Sequence, residues 1–183
     1  EDIMSGDATG AQIGAFVTAL SVKGETPDEI AGMAEVMRSK SLRVKCDYPV
    51  TDTCGTGGDG SNSFNISTAS AFAVAGAGVK VAKHGNRAMS GSSGSADVLE
   101  ALGVNIDLGA ESVEKCLNET GFGFMFAQRF HPSMKFAAGP RKEIGIRTVF
   151  NILGPLTNPA GAHAQVLGVA VASLGPKMIE VLR

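Results

Sequence analysis

Residues 52 to 68 read DTCGTGGDGSNSFNIST, a run that gathers glycines, the carboxylate of Asp59 and several small hydroxyls just ahead of an alanine-rich stretch. Glycine lets main-chain N–H groups turn inward with no Cβ in the way. A helix opening near Ile66 adds unpaired N–H donors and a partial positive charge. Asn65, Ser67 and Thr68 bring side-chain hydrogen bonds to the same point. These residue types suit capture of an anion, a phosphorylated sugar first among them. Two established motifs compete for the run. Gly55, Gly57 and Gly60 formally satisfy G-x-G-x-x-G, but a dinucleotide fingerprint places the helix inside the motif and an acidic residue about 20 positions on. Here SNSF intervenes before the helix, and the next strand leads into Lys83 and His84. A P-loop requires Gly-Lys-Ser/Thr, which is absent. A glycine-rich turn without a ligand is the plain alternative.

A second run, KHGNRAMSGSSGSADVLEALG, starts at Lys83. Lys83 and Arg87 bring positive charge, and Ser90, Ser92, Ser93 and Ser95 bring hydroxyls ahead of a helix that carries Val98, Leu99 and Leu102. Taken singly, Lys83 reads equally as a surface lysine and His84 as a satisfied structural histidine. Two hydroxyl-rich strand-to-helix junctions side by side could surround a ligand bearing several phosphates, and that pairing draws Lys83 and Asn86 toward function. The role of His84 stays open.

The elements that must position these loops follow from periodicity. TGAQIGAFVTALSVKG places Ile13, Phe16, Val17 and Leu20 on one helical stripe, with Thr9 and Gln12 at capping-box spacing. TPDEIAGMAEVMRSK repeats the pattern: Thr26 caps, Pro27 takes the first helical position and Glu29 completes the box. The methionines of this helix read as core. From about residue 48, short apolar runs alternate with helical segments. Strands are predicted at 50–54, 79–82, 104–107, 122–127 and 165–171, with crossover helices at 65–78, 92–103 and 111–120. Repeated strand–helix–strand order predicts an α/β fold, a mainly parallel sheet flanked by helices. The expected organisation is an N-terminal helical domain over residues 1–45 and an α/β domain over 46–183. Residues 131–158 break the rhythm, with helices predicted after Pro132 and Pro140, and are expected to pack back on the N-terminal helices.

Composition bounds the function. The 183 residues carry a net charge of −2, which gives no global field for nucleic acid or anionic lipid, so local geometry must hold an anion. No apolar run is long enough to span a bilayer. Cys46, Cys54 and Cys116 form neither a zinc cluster nor a disulfide framework. A reducing compartment is the expected setting, the cytoplasm or, for a plant source, a plastid. The chain begins without Met and stops within an apparent helix, so it reads as a C-terminally truncated portion of something longer.

GTGGDGSNSFNIST, KHGNRAMSGSSGSADVLEALG and GIRTVFNILGPLTNPAG together resemble the anthranilate phosphoribosyltransferase family, over nearly the whole chain. The resemblance implies a helical domain hinged to an α/β domain, a homodimer, and magnesium-assisted transfer of phosphoribose from 5-phosphoribosyl 1-diphosphate to the amine of anthranilate. It implies donor contacts at Gly55, Gly58, Asp59, Ser63, Asn65, Ile66, Ser67 and Thr68. In the second loop it implies Lys83, His84, Gly85, Asn86, Arg87, Ala88, Met89, Ser90, Gly91 and Ser95. Ser67 matches a hydroxyl that helps hold magnesium. Anthranilate is expected near Gly55, Asn86 and Arg141, with His131 lining its approach. By itself, Arg141 reads as a solvated charge in GPRKEIGIR. No residue matches a conventional acid or base catalyst.

The chain departs from the family pattern twice. The family carries an Asp-Glu pair for magnesium in a later segment, and none follows Arg141 here. Pro140 stands where a branched apolar residue is usual. Two further readings remain: a noncatalytic nucleic-acid-binding relative of the same fold, which would need a broad basic surface, and a pyrimidine nucleoside phosphorylase, which shares a lysine–glycine–arginine signature.

Overall fold

The computed structural model of the chain describes residues 1–58, 60, 63–88 and 93–183. Helices α1 (Asp2–Ser5), α2 (Gly10–Lys23) and α3 (Pro27–Ser39) come first. Both capping boxes form. The Gln12 amide donates to Thr9 Oγ1 while Thr9 N–H donates back to Gln12 Oε1 at 2.8 Å. Thr26 and Glu29 do the same, with Thr26 N–H 2.9 Å from Glu29 Oε2. Each box satisfies donors that a helix start otherwise leaves unpaired.

Four parallel strands follow, in the order β3-β2-β1-β4: β1 (Thr51–Gly55), β2 (Val81–Gly85), β3 (Phe122–Phe126) and β4 (Ala164–Gly168). The crossovers are α4 (Ile66–Gly76) from β1 to β2, and α5 (Ser95–Ala101) with α6 (Ala110–Thr120) from β2 to β3. Alternation along β3 splits its side chains between two cores. Phe124, with Phe122 and Phe126, joins Ala96, Leu99 and Ile106 on the face of α5, while Met125 joins Ala82, Val113 and Leu117 on the face of α6. Gly123 admits α6, because a Cβ there would lie 2.7 Å from Leu117 Cγ.

The sequence-predicted strand at 104–107 is not a strand. Ile106 is buried in a core cluster and Val104 packs against it, so alternate residues dock without strand pairing. β3 pairs directly with β2 from Val81↔Phe122 to Gly85↔Phe126, so no edge of β2 is left for it. The other strands shift by one to three residues at their ends, and the last stops at Gly168 rather than running to Val171.

After β3 come α7 (Ala127–Phe130), a 3₁₀ turn at Pro132–Met134, α8 (Lys135–Ile144), α9 (Phe150–Leu153), a second 3₁₀ turn at Gly154–Leu156, β4 and α10 (Leu174–Val181). Pro140 does not start a helix; it lies inside α8. Its ring faces Gly10 of α2, where a Cβ would meet Pro140 Cγ at 3.5 Å, so tertiary packing tolerates the missing N–H. α8 packs on α1 and α2, and α3 packs on α9 and α10. One core holds Leu20, Ile30, Met37, Val149, Leu153 and Met178 together. Met33 also packs against it, so the α3 methionines are core residues. Among the described residues no helix is long and apolar enough to cross a membrane.

Candidate active site

β1 and β2 are neighbours and parallel, so the runs after Gly55 and Gly85 leave the same edge of the sheet. The chain order reverses beside β1, which has β2 on one side and β4 on the other. Ligands of open α/β sheets bind beyond the strand ends at such a reversal. The crevice is narrow at Gly55: a Cβ there would stand 3.1 Å from the Gly168 carbonyl oxygen of β4. Thr56 closes the corner, its N–H donating to Gly168 O and its Oγ1 accepting from Ala170 N–H, both at 3.0 Å.

The first loop runs from Thr56 to Asn65. Gly57, Gly58 and Gly60 all take positive φ, at 63°, 72° and 68°, a conformation side chains oppose. Asn65 ends the loop and caps α4, with Oδ1 accepting from Thr68 N–H at 3.0 Å and from Ser67 Oγ at 3.1 Å. Its Nδ2 donates to Ser93 O at 3.3 Å, which ties the first loop to the second. Ile66 is exposed at the helix start, and Ser63 lies exposed in the loop.

The second loop is drawn shut at its neck. Asp97 Oδ2 accepts from the N–H groups of Ala88 and Gly94, each at 2.8 Å. These backbone bonds first, and Arg87 second, hold the Asp97 carboxyl below the usual range. The crossing is so close that a Cβ on Gly94 would lie 2.4 Å from Ala88 N. Asn86 Oδ1 accepts from Arg87 N–H at 2.8 Å. The Arg87 guanidinium turns to Asp97 and Glu100, at 3.1 and 2.7 Å. Ser95 opens α5 against Gly85, where a Cβ would stand 3.0 Å from Ser95 Cβ. Asp59, Met89, Ser90 and Gly91, which the resemblance places in the site, lie outside the described residues.

Beneath both loops is a buried polar layer. Lys83 is 1% exposed. Its Nζ donates to Thr53 O and, at 3.2 Å, to Ser67 Oγ, so it supports the start of α4 from below. Burial pushes the Lys83 pKa down, and burial pushes the nearby Asp52 carboxyl up. Asp52 accepts from His84 N–H at 3.3 Å and from Asn158 Nδ2 at 2.8 Å, and Asn158 Nδ2 also reaches Ala82 O at 2.9 Å. The side chain of His84 meets that of His131, with ring centroids 5.0 Å apart. His84 Nδ1 lies 3.2 Å from Gly154 O, and neither Nε2 has a hydrogen-bond partner among the described residues. Burial lowers both histidines, to about 3 and about 4, so both are neutral near pH 7.

Arg141 stands apart from the loops, on α8, with its guanidinium 5.1 Å from the Phe150 ring centroid. Burial lowers its pKa, and among the described residues it makes no ion pair or hydrogen bond through its side chain. Four contributors escaped the sequence reading: Asp52 and Asn158 in the buried layer, Asp97 at the neck, and Arg147. Asp97 carried a faint signal, three residues after Gly94 at helix-cap spacing. Arg147 donates to Gly58 O at 3.0 Å and to Gly57 O at 3.3 Å.

A helical bundle joined to an open parallel sheet, with two glycine- and hydroxyl-rich loops at adjacent strand ends, defines an α/β protein of the doubly layered class. Residues 1–41 match the helical bundle domain of the glycosyl transferase family and residues 47–183 its a/b domain. The chain belongs to that family. It is 68% identical over 182 residues to the anthranilate phosphoribosyltransferase of Chloroflexus aurantiacus, covering 100% of this chain and 54% of the relative. It is 64% identical to that of Dehalococcoides mccartyi, again over 100% of this chain and 53% of the relative. The solved anthranilate phosphoribosyltransferase of Thermus thermophilus superposes with a TM-score of 0.94 at 49% identity, covering 99% of this chain and 55% of that one. The Saccharomyces cerevisiae enzyme in complex with PRPP and Mg gives 0.87 at 34% identity, over 94% and 49%. The chain spans about half the length of the curated relatives it matches.

Proposed function

We propose that this chain supplies the donor-binding loops of an anthranilate phosphoribosyltransferase, which moves phosphoribose from 5-phosphoribosyl 1-diphosphate to the amine of anthranilate. The observation that carries the reading is the pair of loops after β1 and β2, linked through Asn65 and Ser93. The identity to named enzymes over the whole chain supports it, as does the solved relative with PRPP and Mg.

The difficult step is departure of diphosphate from an anomeric carbon that gains positive character. Backbone N–H groups of the glycine loop and the start of α4 face developing negative charge, the role of a preorganised electrostatic site. Asn65, Ser67 and Thr68 orient the donor, and the second loop holds its other phosphate through Asn86 and its hydroxyls. Anthranilate nitrogen is neutral near pH 7 and needs no strong base. Arg141, whose donors are unspent among the described residues, suits the acceptor carboxylate through a bidentate fork. His84 and His131, buried and neutral, border the acceptor side rather than transferring a proton.

Among the described residues no group of His, Cys, Asp or Glu side chains could hold a metal. Ser67 offers one hard oxygen, partly engaged by Lys83 and Asn65. Magnesium takes most of its ligands from phosphates and water, so these residues fit an ion that arrives with the diphosphate. Bound there, it would neutralise charge on the leaving group. The same reading includes a homodimer working in the cytoplasm. Calorimetry of the full-length protein with 5-phosphoribosyl 1-diphosphate and magnesium, with anthranilate consumption followed by fluorescence, tests the assignment. Saturable binding and consumption are expected; silence in both at millimolar ligand would overturn it.

A further inference from the structure

Arg147 lies between α8 and α9, far in sequence from the glycine loop, yet it touches that loop at two successive peptides. Nη1 donates to Gly58 O at 3.0 Å and Nη2 to Gly57 O at 3.3 Å. Its own carbonyl oxygen accepts from Ser21 Oγ of α2 at 3.3 Å. Among the described residues no carboxylate pairs with it, so its charge is spent on backbone carbonyls alone. In a planar trans peptide the C=O and the following N–H point opposite ways. Drawing the Gly57 carbonyl toward the guanidinium therefore turns the Gly58 N–H away from it. Gly58 suits this contact: a Cβ there would lie 2.4 Å from Arg147 Nη1 and would displace the guanidinium, and its φ of 72° disfavours a side chain as well.

We propose that Arg147 is a positioning residue for the phosphate loop: it holds the carbonyls of Gly57 and Gly58 back, so that loop N–H groups face the anionic ligand. Its carbonyl links the loop to α2, so the helical bundle and the phosphate loop share one anchor. The inference rests on the proposed function, since it presumes a phosphate-bearing donor in that loop. A residue that merely stabilised the fold would lower the melting temperature and disturb both substrates alike. A positioning residue acts on one substrate.

The test compares full-length wild type with Arg147→Met, Arg147→Lys and Gly58→Ala, by calorimetry with 5-phosphoribosyl 1-diphosphate and magnesium, steady-state KM for each substrate, and thermal melting. Losing two charge-assisted hydrogen bonds predicts donor affinity weaker by at least about tenfold in Arg147→Met. The anthranilate KM should stay within about threefold, because the clamp touches only the donor loop. Lysine, a point charge able to hold one carbonyl, should recover part of the loss. Gly58→Ala displaces the same guanidinium, so its effect should not add to that of Arg147→Met. Donor affinity equal to wild type in Arg147→Met overturns the assignment, as do equal losses for both substrates or additive effects with Gly58→Ala. Wild type that ignores the donor would instead overturn the proposed function itself. Should Arg147→Met fail to fold, Arg147→Lys and Gly58→Ala carry the same comparison.

Discussion

The two loops leave neighbouring strands of one sheet, yet they are secured with opposite polarity. The first is held by a cation from a distant segment, Arg147, which takes carbonyl oxygens. The second is held by an anion from its own following helix, Asp97, which takes N–H groups. A loop gripped by its carbonyls keeps its amides for an anionic guest. A loop gripped at Ala88 and Gly94 has spent those two amides, which leaves a larger share of recognition to side chains. Under the proposed function, the contrast predicts main-chain recognition of the diphosphate in the first loop and a larger share of side-chain recognition, through Asn86 and the serines, in the second. The strands beneath share one polar layer: Lys83 on β2 reaches across to Thr53 O of β1 and to Ser67 Oγ at the start of α4, and Asp52 on β1 accepts from His84 N–H of β2.

The largest break in this comparison should come from Lys83→Met. It removes a buried ammonium that holds Thr53 O and Ser67 Oγ, and leaves Asp52 without its nearest cation. Breaking such a buried arrangement from one side costs about 3 kcal/mol. Urea denaturation should show that loss, and donor affinity should fall with it as the start of α4 loosens. A gain in stability would show instead that Asp52 is protonated in the folded state.

Acid should act next. His84 and His131 are depressed from 6.5 to about 3 and about 4, so the folded protein keeps both neutral while the unfolded chain binds protons below pH 6.5. Stability is therefore full above pH 6.5 and drains as pH falls toward 4, by about 2 kcal/mol per histidine at pH 5 on linkage grounds. Asp52 works in the opposite sense, since a raised carboxyl takes up its proton more readily when folded and offsets part of the loss. Melting temperature measured across this window should fall less steeply in His131→Gln than in wild type.

Legibility in the sequence followed the range of the interaction. The Thr9 and Thr26 capping boxes are three-residue signals, and both formed. The loops were visible because glycines and hydroxyls cluster after β1 and β2, between each strand and its helix. The segment 104–107 misled because alternation suits any extended piece that docks alternate residues, here Val104 and Ile106; pairing depends on a free strand edge, which sequence does not show. Pro140 looked like a helix start because propensity sees the missing N–H and not the contact with Gly10. Lys83 reads in the sequence as a loop cation; its burial, with the ammonium held by Thr53 O and Ser67 Oγ, depends on β2 being covered on both faces, which sequence does not show. Arg147 was invisible for the same reason in reverse: it reaches Gly58 across 89 positions.

Asp97→Asn would weaken the neck of the second loop while leaving the first untouched. The neutral amide oxygen still accepts N–H, but less strongly, and its NH2 faces Arg87. A loss of about 1–2 kcal/mol is expected, the difference between charged and neutral acceptors. Chemical denaturation reads that loss. Calorimetry should show the donor affinity reduced, yet by less than for Arg147→Met, if amides in the first loop carry more of the recognition.

The smallest expected effect tests whether the loops need each other. Asn65 does two things through opposite ends of one amide: Oδ1 caps α4 at Thr68 N–H, and Nδ2 reaches Ser93 O. Asn65→Asp keeps the acceptor, since aspartate caps helices as well as asparagine. It deletes the donor to Ser93 and places a negative charge beside the proposed phosphate site. Stability should change by less than about 1 kcal/mol, because the lost bond is exposed and neutral. Donor binding should weaken more than stability does, and added salt should relieve part of that weakening by screening the new carboxylate. Asn65→Ala loses cap and bridge together without adding charge. If both variants bind the donor as wild type does, the loops recognise their ligand independently, and the link between them is only a consequence of their neighbouring strands.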